Sequence, residues 1–227
     1  MINTGVESRD AQKKLTSKLN LEQLTLEILE RASGAVRFVI AIVGPPGSGK
    51  STATAALKAQ LLQNKNVAVQ VVPMDGFHYD NAILEQLGLT QTKGSPETFD
   101  IGGLESILQR LIKTNPTQQV AVPVFDRDRD LSLASARIID KSTNVLLIEG
   151  NYLLLQAEPW SHLEKYFDLS VMIQCNEEIL RARLMQRWQG LNYDGKTATM
   201  KVEISDIPNA NLVIRQSRSA DVNLMWN

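Results

Sequence analysis

A chain of 227 residues, 43% hydrophobic and 22% charged with a formal net charge of −1, is long enough for one domain with a sizeable core and has an ordinary globular composition. That balance excludes the strongly basic surface of a nucleic-acid binder, and no apolar run reaches membrane-spanning length. One cysteine, Cys175, excludes an intrachain disulfide and points to a cytoplasmic protein, with Cys175 itself read as a small buried side chain.

Met1 to Leu19 is polar and weakly patterned, either disordered or holding a short helix around Asp10 to Ser17, and has no signal-peptide core. Leu21, Leu24, Ile28 and Leu29 then repeat at helical spacing, with Asn20 as N-cap and Gln23 at the third position. Phe38 to Val43 is a short apolar run rich in β-branched residues and ended by glycine, which suits a strand buried on both faces. Gly44 to Ser51 fits the phosphate-binding loop G-x-x-x-x-G-K-[ST] at every required position. Its glycines let the backbone fold inward with N–H groups pointing at phosphates and no Cβ in the way. Gly44, Pro45, Pro46, Gly47, Ser48, Gly49, Lys50, Ser51 and Thr52 therefore form the expected ATP site. Lys50 would reach the β- and γ-phosphates, the Ser51 hydroxyl would ligate Mg2+, and the helix from Thr52 to Leu62 would present its positive end. A dinucleotide fingerprint fits poorly because Gly47-Ser48-Gly49 continues with Lys50.

Val67 to Pro73 reads as a second strand, ending in Met74-Asp75-Gly76-Phe77-His78-Tyr79. An acid past the C-terminal end of a parallel strand, beside the phosphate loop, sits where ligands bind in open α/β sheets, so Asp75 is the candidate general base. Capping the next turn, or holding a metal-bound water, is its alternative role. Phe77, His78 and Tyr79 cannot all be core on one element and are candidates for the acceptor cleft, with His78 either a hydrogen-bond donor to substrate or a structural histidine. Asn81 to Leu87 is a short helix ended by Gly88. Thr90 to Gly103 is turn-rich, anchored by Pro96 and Phe99, with Lys93 able to meet a polar acceptor or simply face water. Leu104 to Ile112 is helical. Val120 to Phe125 contains Pro123, which argues for an edge or an accessory hairpin, returning at Arg137 to Ile139. Arg127, just past Asp126, could hold acceptor oxygens with its fork of donors, or pair internally on a surface turn.

Asn144 to Ile148 is the next buried strand. It ends in Glu149, the expected second Mg2+ ligand, directly or through water, and Tyr152 begins the following loop on the substrate side. Trp160, Leu163 and Phe167 read as core, and Leu169 to Cys175 as a further strand. On the following helix, Arg183 and Arg187 lie four apart on one face, as in a lid that closes on transferring phosphates; pairing with Glu177 and Glu178 is the alternative. Gln189 to Thr199 fits a moving tip, Met200 to Ile204 a short helix broken by Pro208, and Asn211 to Ile214 the last sheet strand, with Val222 to Trp226 as a closing edge.

The phosphate loop, MDGFHYDN, KGSPETFD, PVFDRD, IEGNYLLL and the R-x-R-x-x-x-R helix together resemble the uridine kinase, phosphoribulokinase and pantothenate kinase group of P-loop kinases. Within it they are closest to the branch labelled nucleoside/nucleotide kinase-like or fructose-transport kinase. The resemblance covers Phe38 to Trp226 and implies a five-stranded parallel α/β sheet of order 2-3-1-4-5, flanked by helices, with an accessory hairpin and a lid. With the chain's length, the expected organisation is 1–227 as a single kinase domain, with 1–34 as N-terminal extension and helix and 176–200 as lid region. Residue by residue the resemblance implies Lys50 and Ser51 for phosphate and magnesium, Asp75 against the acceptor hydroxyl, Glu149 for the strand-end acid, and Arg183 and Arg187 for the lid. Asp206, Pro208, Asn209 and Ala210 resemble a D-x-P-N-A run near nucleotide or lid closure. The expected activity is transfer of the ATP γ-phosphoryl to a hydroxyl of a small metabolite: a sugar, a nucleoside or a pantothenate-like alcohol. The alternative is a nucleotide-binding regulatory or transport-associated protein. No nucleic-acid or membrane partner is expected, and a homodimer rests on base rate alone.

Overall fold

The computed structural model describes residues 16–112 and 118–226. In chain order its elements are β1 (Ser17–Leu19), α1 (Leu21–Arg31), β2 (Phe38–Val43), α2 (Lys50–Leu61), β3 (Val69–Pro73), α3 (Asn81–Leu87), α4 (Ile101–Ile112), β4 (Val120–Asp126), β5 (Leu131–Ile139), β6 (Val145–Gly150), β7 (Leu169–Gln174), α5 (Glu177–Gly190), α6 (Gly195–Lys201), α7 (Ile207–Gln216) and β8 (Val222–Met225), with short 3-10 turns between several of them. The helix weighed for Asp10 to Ser17 lies outside the described residues except at its end, where Ser17 starts a strand.

Among the described residues, β1, β8, β7, β2, β6 and β3 form one sheet in that order, all neighbours parallel. The expected order 2-3-1-4-5 is present as β3, β6, β2, β7 and β8, and β1 adds a sixth strand at the edge. The sheet is buried on both faces because its strands carry two apolar sets of period two. On β2, Val39, Ala41 and Val43 face the cluster that holds α4 and the Tyr152–Trp160 segment. Phe38, Ile40 and Ile42 face the cluster built with α1 and α2. The capping box expected at α1 is closed on both sides: Gln23 N donates to Asn20 Oδ1 at 2.9 Å and Asn20 N to Gln23 Oε1 at 3.0 Å.

Two expected elements are corrected. Asn211 to Ile214 is not a strand but part of α7, whose buried residues Ile207, Ala210 and Val213 recur every three positions. Pro208 does not break the chain there; it lies in the first turn of α7, which continues directly from the π-helical turn Val202–Asp206. The last strand is β8 instead. Gln189 to Thr199 is mostly helical, since α5 runs to Gly190 and α6 starts at Gly195 under the Asp194 cap.

The hairpin β4–β5 is a separate antiparallel pair, irregular between Val122 and Val124 where Pro123 interrupts the ladder. It docks on the C-terminal end of β3. Arg137 Nη1 donates to the Val71 carbonyl at 2.7 Å, and the Pro123 carbonyl passes 2.5 Å from where a Cβ on Gly76 would stand. Gly76 is thus required by close backbone approach rather than by an unusual turn. Among the described residues, no helix is long and apolar enough to cross a membrane. Replacing Gly76 by Ala forces the hairpin off the strand end. A loss of about 1–3 kcal/mol is expected for such overpacking, read as a lowered midpoint in urea denaturation.

Candidate active site

Three strand ends are brought level by register. Pro73 on β3 pairs with Glu149 on β6, and Glu149 pairs with Ile42 on β2. The chain beyond each end therefore emerges at one edge: the phosphate loop after β2, Asp75 after β3, and Glu149 itself on β6.

The loop from Gly44 leads directly into α2, whose first residues are Lys50 and Ser51. Gly49 caps that helix at φ +88°, a conformation that favours glycine. A Cβ there would also lie 3.2 Å from Trp226 Nε1 and 3.3 Å from Arg183 Nη1, so this glycine makes room for the protein's own side chains as well as for a ligand. Lys50 Nζ donates to the Pro45 carbonyl at 3.1 Å and is buried. Burial lowers its pKa, opposed by the Glu149 and then the Asp75 carboxylates and assisted by Arg187 and Arg127; all five groups share one electrostatic neighbourhood. Ser48 Oγ is buried without a hydrogen-bond partner, an orphan donor inside the loop. Pro46 and Gly47 continue the loop, and Thr52 is exposed on the first turn of α2.

Ser51 Oγ donates to Glu149 Oε1 at 3.0 Å. Burial raises the Glu149 pKa, with Lys50 the largest opposing charge. A hydroxyl and a carboxylate at this spacing fit a hard cation such as Mg2+, which takes few protein oxygens and completes its shell with phosphate and water. Among the described residues, no group of three or more His, Cys, Asp or Glu could hold a metal alone.

On the β3 side, Arg127 Nη2 lies 2.9 Å from Asp75 Oδ2, an ion pair open to solvent on both partners. The structure thus brings together two residues read separately from sequence. His78 Nδ1 is 2.8 Å from the Asp75 backbone carbonyl. That contact needs the proton on Nδ1 and leaves Nε2 as an acceptor. The ring packs between Phe99 and Phe125, with centroids at 4.0 and 4.8 Å, and burial lowers its pKa. Of the two roles read for His78, donor to substrate or structural histidine, this packing fits the structural one, with the Nδ1 donor spent inside the fold.

Three further substrate candidates are held by contacts within the fold. Phe77 is a core residue. Tyr152 is wholly buried; its hydroxyl donates to the Gly94 carbonyl at 2.5 Å, and its ring meets Phe99 and Trp160 edge-on. Lys93 commits its ammonium to Asp130 Oδ2 at 2.8 Å, Asn81 Oδ1 at 2.7 Å and the Asp130 carbonyl at 2.7 Å. Tyr79 is half-buried, and its backbone N–H donates to the Thr98 carbonyl.

On α5, Arg183 Nη1 donates to the Ser48 carbonyl at 3.1 Å, so this arginine already touches the phosphate loop. Arg187 stands 3.9 Å from Asp206 Oδ1 and over the Trp188 ring. Arg181 behaves as the alternative anticipated for this helix, pairing with Glu177 and Glu203. Asp206 is the residue whose role sequence reasoning left vague. It closes a π-helical turn (Val202–Asp206), is buried, and accepts from Trp188 Nε1 at 2.6 Å. The signal for it was the D-x-P-N-A run, but its partner 18 residues upstream is fixed only by the packing of α5 on α6 and on that turn.

Two outcomes test this geometry. Lys50→Met is expected to weaken MgATP binding by at least ~10-fold, the loss of a charge-assisted contact, in equilibrium titration with the fold intact by circular dichroism. His78 gives a pH effect of defined sign. Its folded pKa lies below the ordinary 6.5, so below 6.5 the unfolded chain binds a proton that the folded chain refuses. Its contribution to stability is full above 6.5 and is lost as pH falls toward the depressed value, at up to about 1.4 kcal/mol per pH unit. His78→Gln is expected to flatten that part of the urea-stability profile.

Residues 39–225 match the family described as "PRK: Phosphoribulokinase / Uridine kinase family". The chain is 32% identical over 198 residues to "Uncharacterized protein YggC" of Escherichia coli, covering 87% of this chain and 81% of that one. It is 30% identical over 193 residues to a "Putative uridine kinase" of Schizosaccharomyces pombe, covering 82% of each. Among solved structures it is similar to a "putative fructose transport system kinase" from Silicibacter, at 36% identity and a TM-score of 0.84, covering 92% of this chain and 100% of that one. With that match running through the phosphate loop, the aligned strand ends and the arginine-bearing helix, the chain belongs to the phosphoribulokinase/uridine kinase family of P-loop kinases.

Proposed function

We propose that this kinase transfers the γ-phosphoryl of ATP to a hydroxyl of a small metabolite, with Asp75 as general base. The observation that carries the reading is the alignment of Pro73, Glu149 and Ile42 in one row of the sheet. It delivers a carboxylate, a hydroxyl–carboxylate pair and a phosphate loop to one edge. Asp75 accepts the acceptor's hydroxyl proton, the freed oxygen forms the new bond to γ-phosphorus, and the bond from γ-phosphorus to the β–γ bridging oxygen breaks to release ADP. Lys50, Arg183 and Arg187 oppose the negative charge of the triphosphate as it shifts. Ser51 and Glu149 would hold Mg2+, whose charge neutralises the phosphate oxygens.

Arg127 bears on how Asp75 works. An exposed ion pair is worth about 0–1 kcal/mol, so an entering acceptor can displace Arg127 from Asp75 and take over its donors. The hairpin tip thereby serves as a specificity element. A nucleoside acceptor, the kind the name of the Schizosaccharomyces pombe relative implies, is one class; sugars and pantothenate-like alcohols are the others.

The test is acceptor-dependent ADP release from MgATP across nucleosides, pentoses, hexoses, their phosphates, pantothenate and glycerate, with mass spectrometry of the product. For the acceptor found, Asp75→Asn is expected to lower kcat by about 10²–10⁴-fold while leaving ATP affinity within about twofold of the parent. An unchanged rate would remove Asp75 from the base role. A flat panel with intact nucleotide binding would favour a nucleotide-dependent regulatory protein instead.

A further inference from the structure

A second concave site opens on the outer side of the Ser51–Glu149 pair. It is a cleft of about 360 Å³ between α2, the edge strand β3 and the returning strand β5. One stripe of α2 forms its floor: Ser51, Thr54, Ala55 and Lys58, spaced i, i+3, i+4 and i+7. Arg137 of β5 lines the cleft as well, and Glu149 closes the end next to Ser51. At 1.5 Å rise per residue, Lys58 stands about 10 Å along the helix from Ser51. Lys58 is therefore set apart from the phosphate loop along the helix.

Three features of that end call for an anion. Arg137 spends one donor on the Val71 carbonyl and has no carboxylate partner among the described residues. Lys58 has neither an ion pair nor a hydrogen bond among them. Thr54 lines the cleft and is only 2% exposed, and its buried Oγ1 has no hydrogen-bond partner. A buried hydroxyl left without a partner costs about 1–3 kcal/mol, and this one belongs to the same cleft lining as two cations without a carboxylate partner. Gln70, beside them, cannot serve them: its amide is committed to Ile138 O, Asp140 N and Thr143 Oγ1.

We propose that this cleft binds a small phosphate ester or comparable acidic metabolite, its anionic group held by Lys58, Arg137 and the Thr54 hydroxyl and its body lying toward Ser51 and Glu149. The ligand is either the acceptor, entering with its own anion, or a separate effector reporting to the metal end of the active site. The binding chemistry is the same in both cases and does not depend on Asp75 being the base.

The experiment uses the full chain saturated with Mg2+ and a non-hydrolysable ATP analogue, so that the phosphate loop is filled. Glucose 6-phosphate and inorganic phosphate are then titrated in by calorimetry. Saturable binding is expected, weakened at least ~10-fold in Lys58→Glu and in Arg137→Gln by loss of a charge-assisted contact, and weakened less in Thr54→Val. Unchanged analogue affinity shows that each variant is folded. Kinetics then separate the two sources. If the ligand is the acceptor, Lys58→Glu raises the acceptor's KM with kcat kept. If it is an effector, the same change abolishes the response of the rate to the phosphate ester and leaves the acceptor KM alone. No binding of either probe to the analogue-filled protein, or binding that both charge variants leave unchanged, overturns the proposal.

Discussion

Ile42, Glu149 and Pro73 lie side by side across β2, β6 and β3, and the chemistry depends on that row. A slip of one residue in either pairing would turn Glu149 from the strand end into the core and part it from Ser51. Register is held from below by the two apolar faces of the sheet. The Val39–Ala41–Val43 and Phe38–Ile40–Ile42 sets each meet their own cluster, so a slipped strand would present its wrong face to both. The hydrophobic core thus acts on function by indexing: it sets which side chain stands at the edge where a triphosphate would lie.

Above that edge the protein gathers charge that the core could not tolerate. Lys50 is buried and Glu149 partly so, and both are shifted toward their neutral forms, yet each moderates the other. Filling the loop with a nucleotide and the Ser51–Glu149 pair with a cation would supply each with an opposite charge. Buried, partly compensated charges of this kind are a cost in the empty protein that a ligand relieves. The same logic reads the Ser48 hydroxyl in the loop and the Thr54 hydroxyl in the outer cleft, two buried donors without partners, each beside cationic groups.

The elements over the edge differ in how firmly they are attached. The β4–β5 hairpin is pinned to β3 by Arg137 and by the tight passage of Pro123 over Gly76, while its tip meets Asp75 only through the exposed Arg127 pair. On the opposite side, α5 is tied to the phosphate loop through Arg183 and to the turn before α7 through Trp188 and Asp206. A rigid base with an adjustable tip suits a scaffold that keeps its phosphate chemistry while varying its acceptor.

Much of this was legible in the chain. The buried strand followed by G-x-x-x-x-G-K-S, the acid after the second strand and the acid ending the third are local patterns, and each states a backbone geometry that neighbouring residues alone can impose. The Asn20 capping box and the Gly88 helix stop are local in the same sense. What sequence could not decide were matters of partnership. Lys93, His78 and Tyr152 read as free polar groups near a cleft, but Asp130, the Asp75 carbonyl and the Gly94 carbonyl, brought from elsewhere in the chain, had already taken them. Asn211 to Ile214 read as a strand because four residues cannot distinguish period two from period three; the faces it buries, known only after packing, made it helix. The phosphate loop and its flanking acids were determined by the sequence itself, because each residue's role follows from the few residues beside it. Tertiary structure alone decided which polar groups remain free for a ligand, because a donor's availability depends on every acceptor the fold places within 3 Å of it.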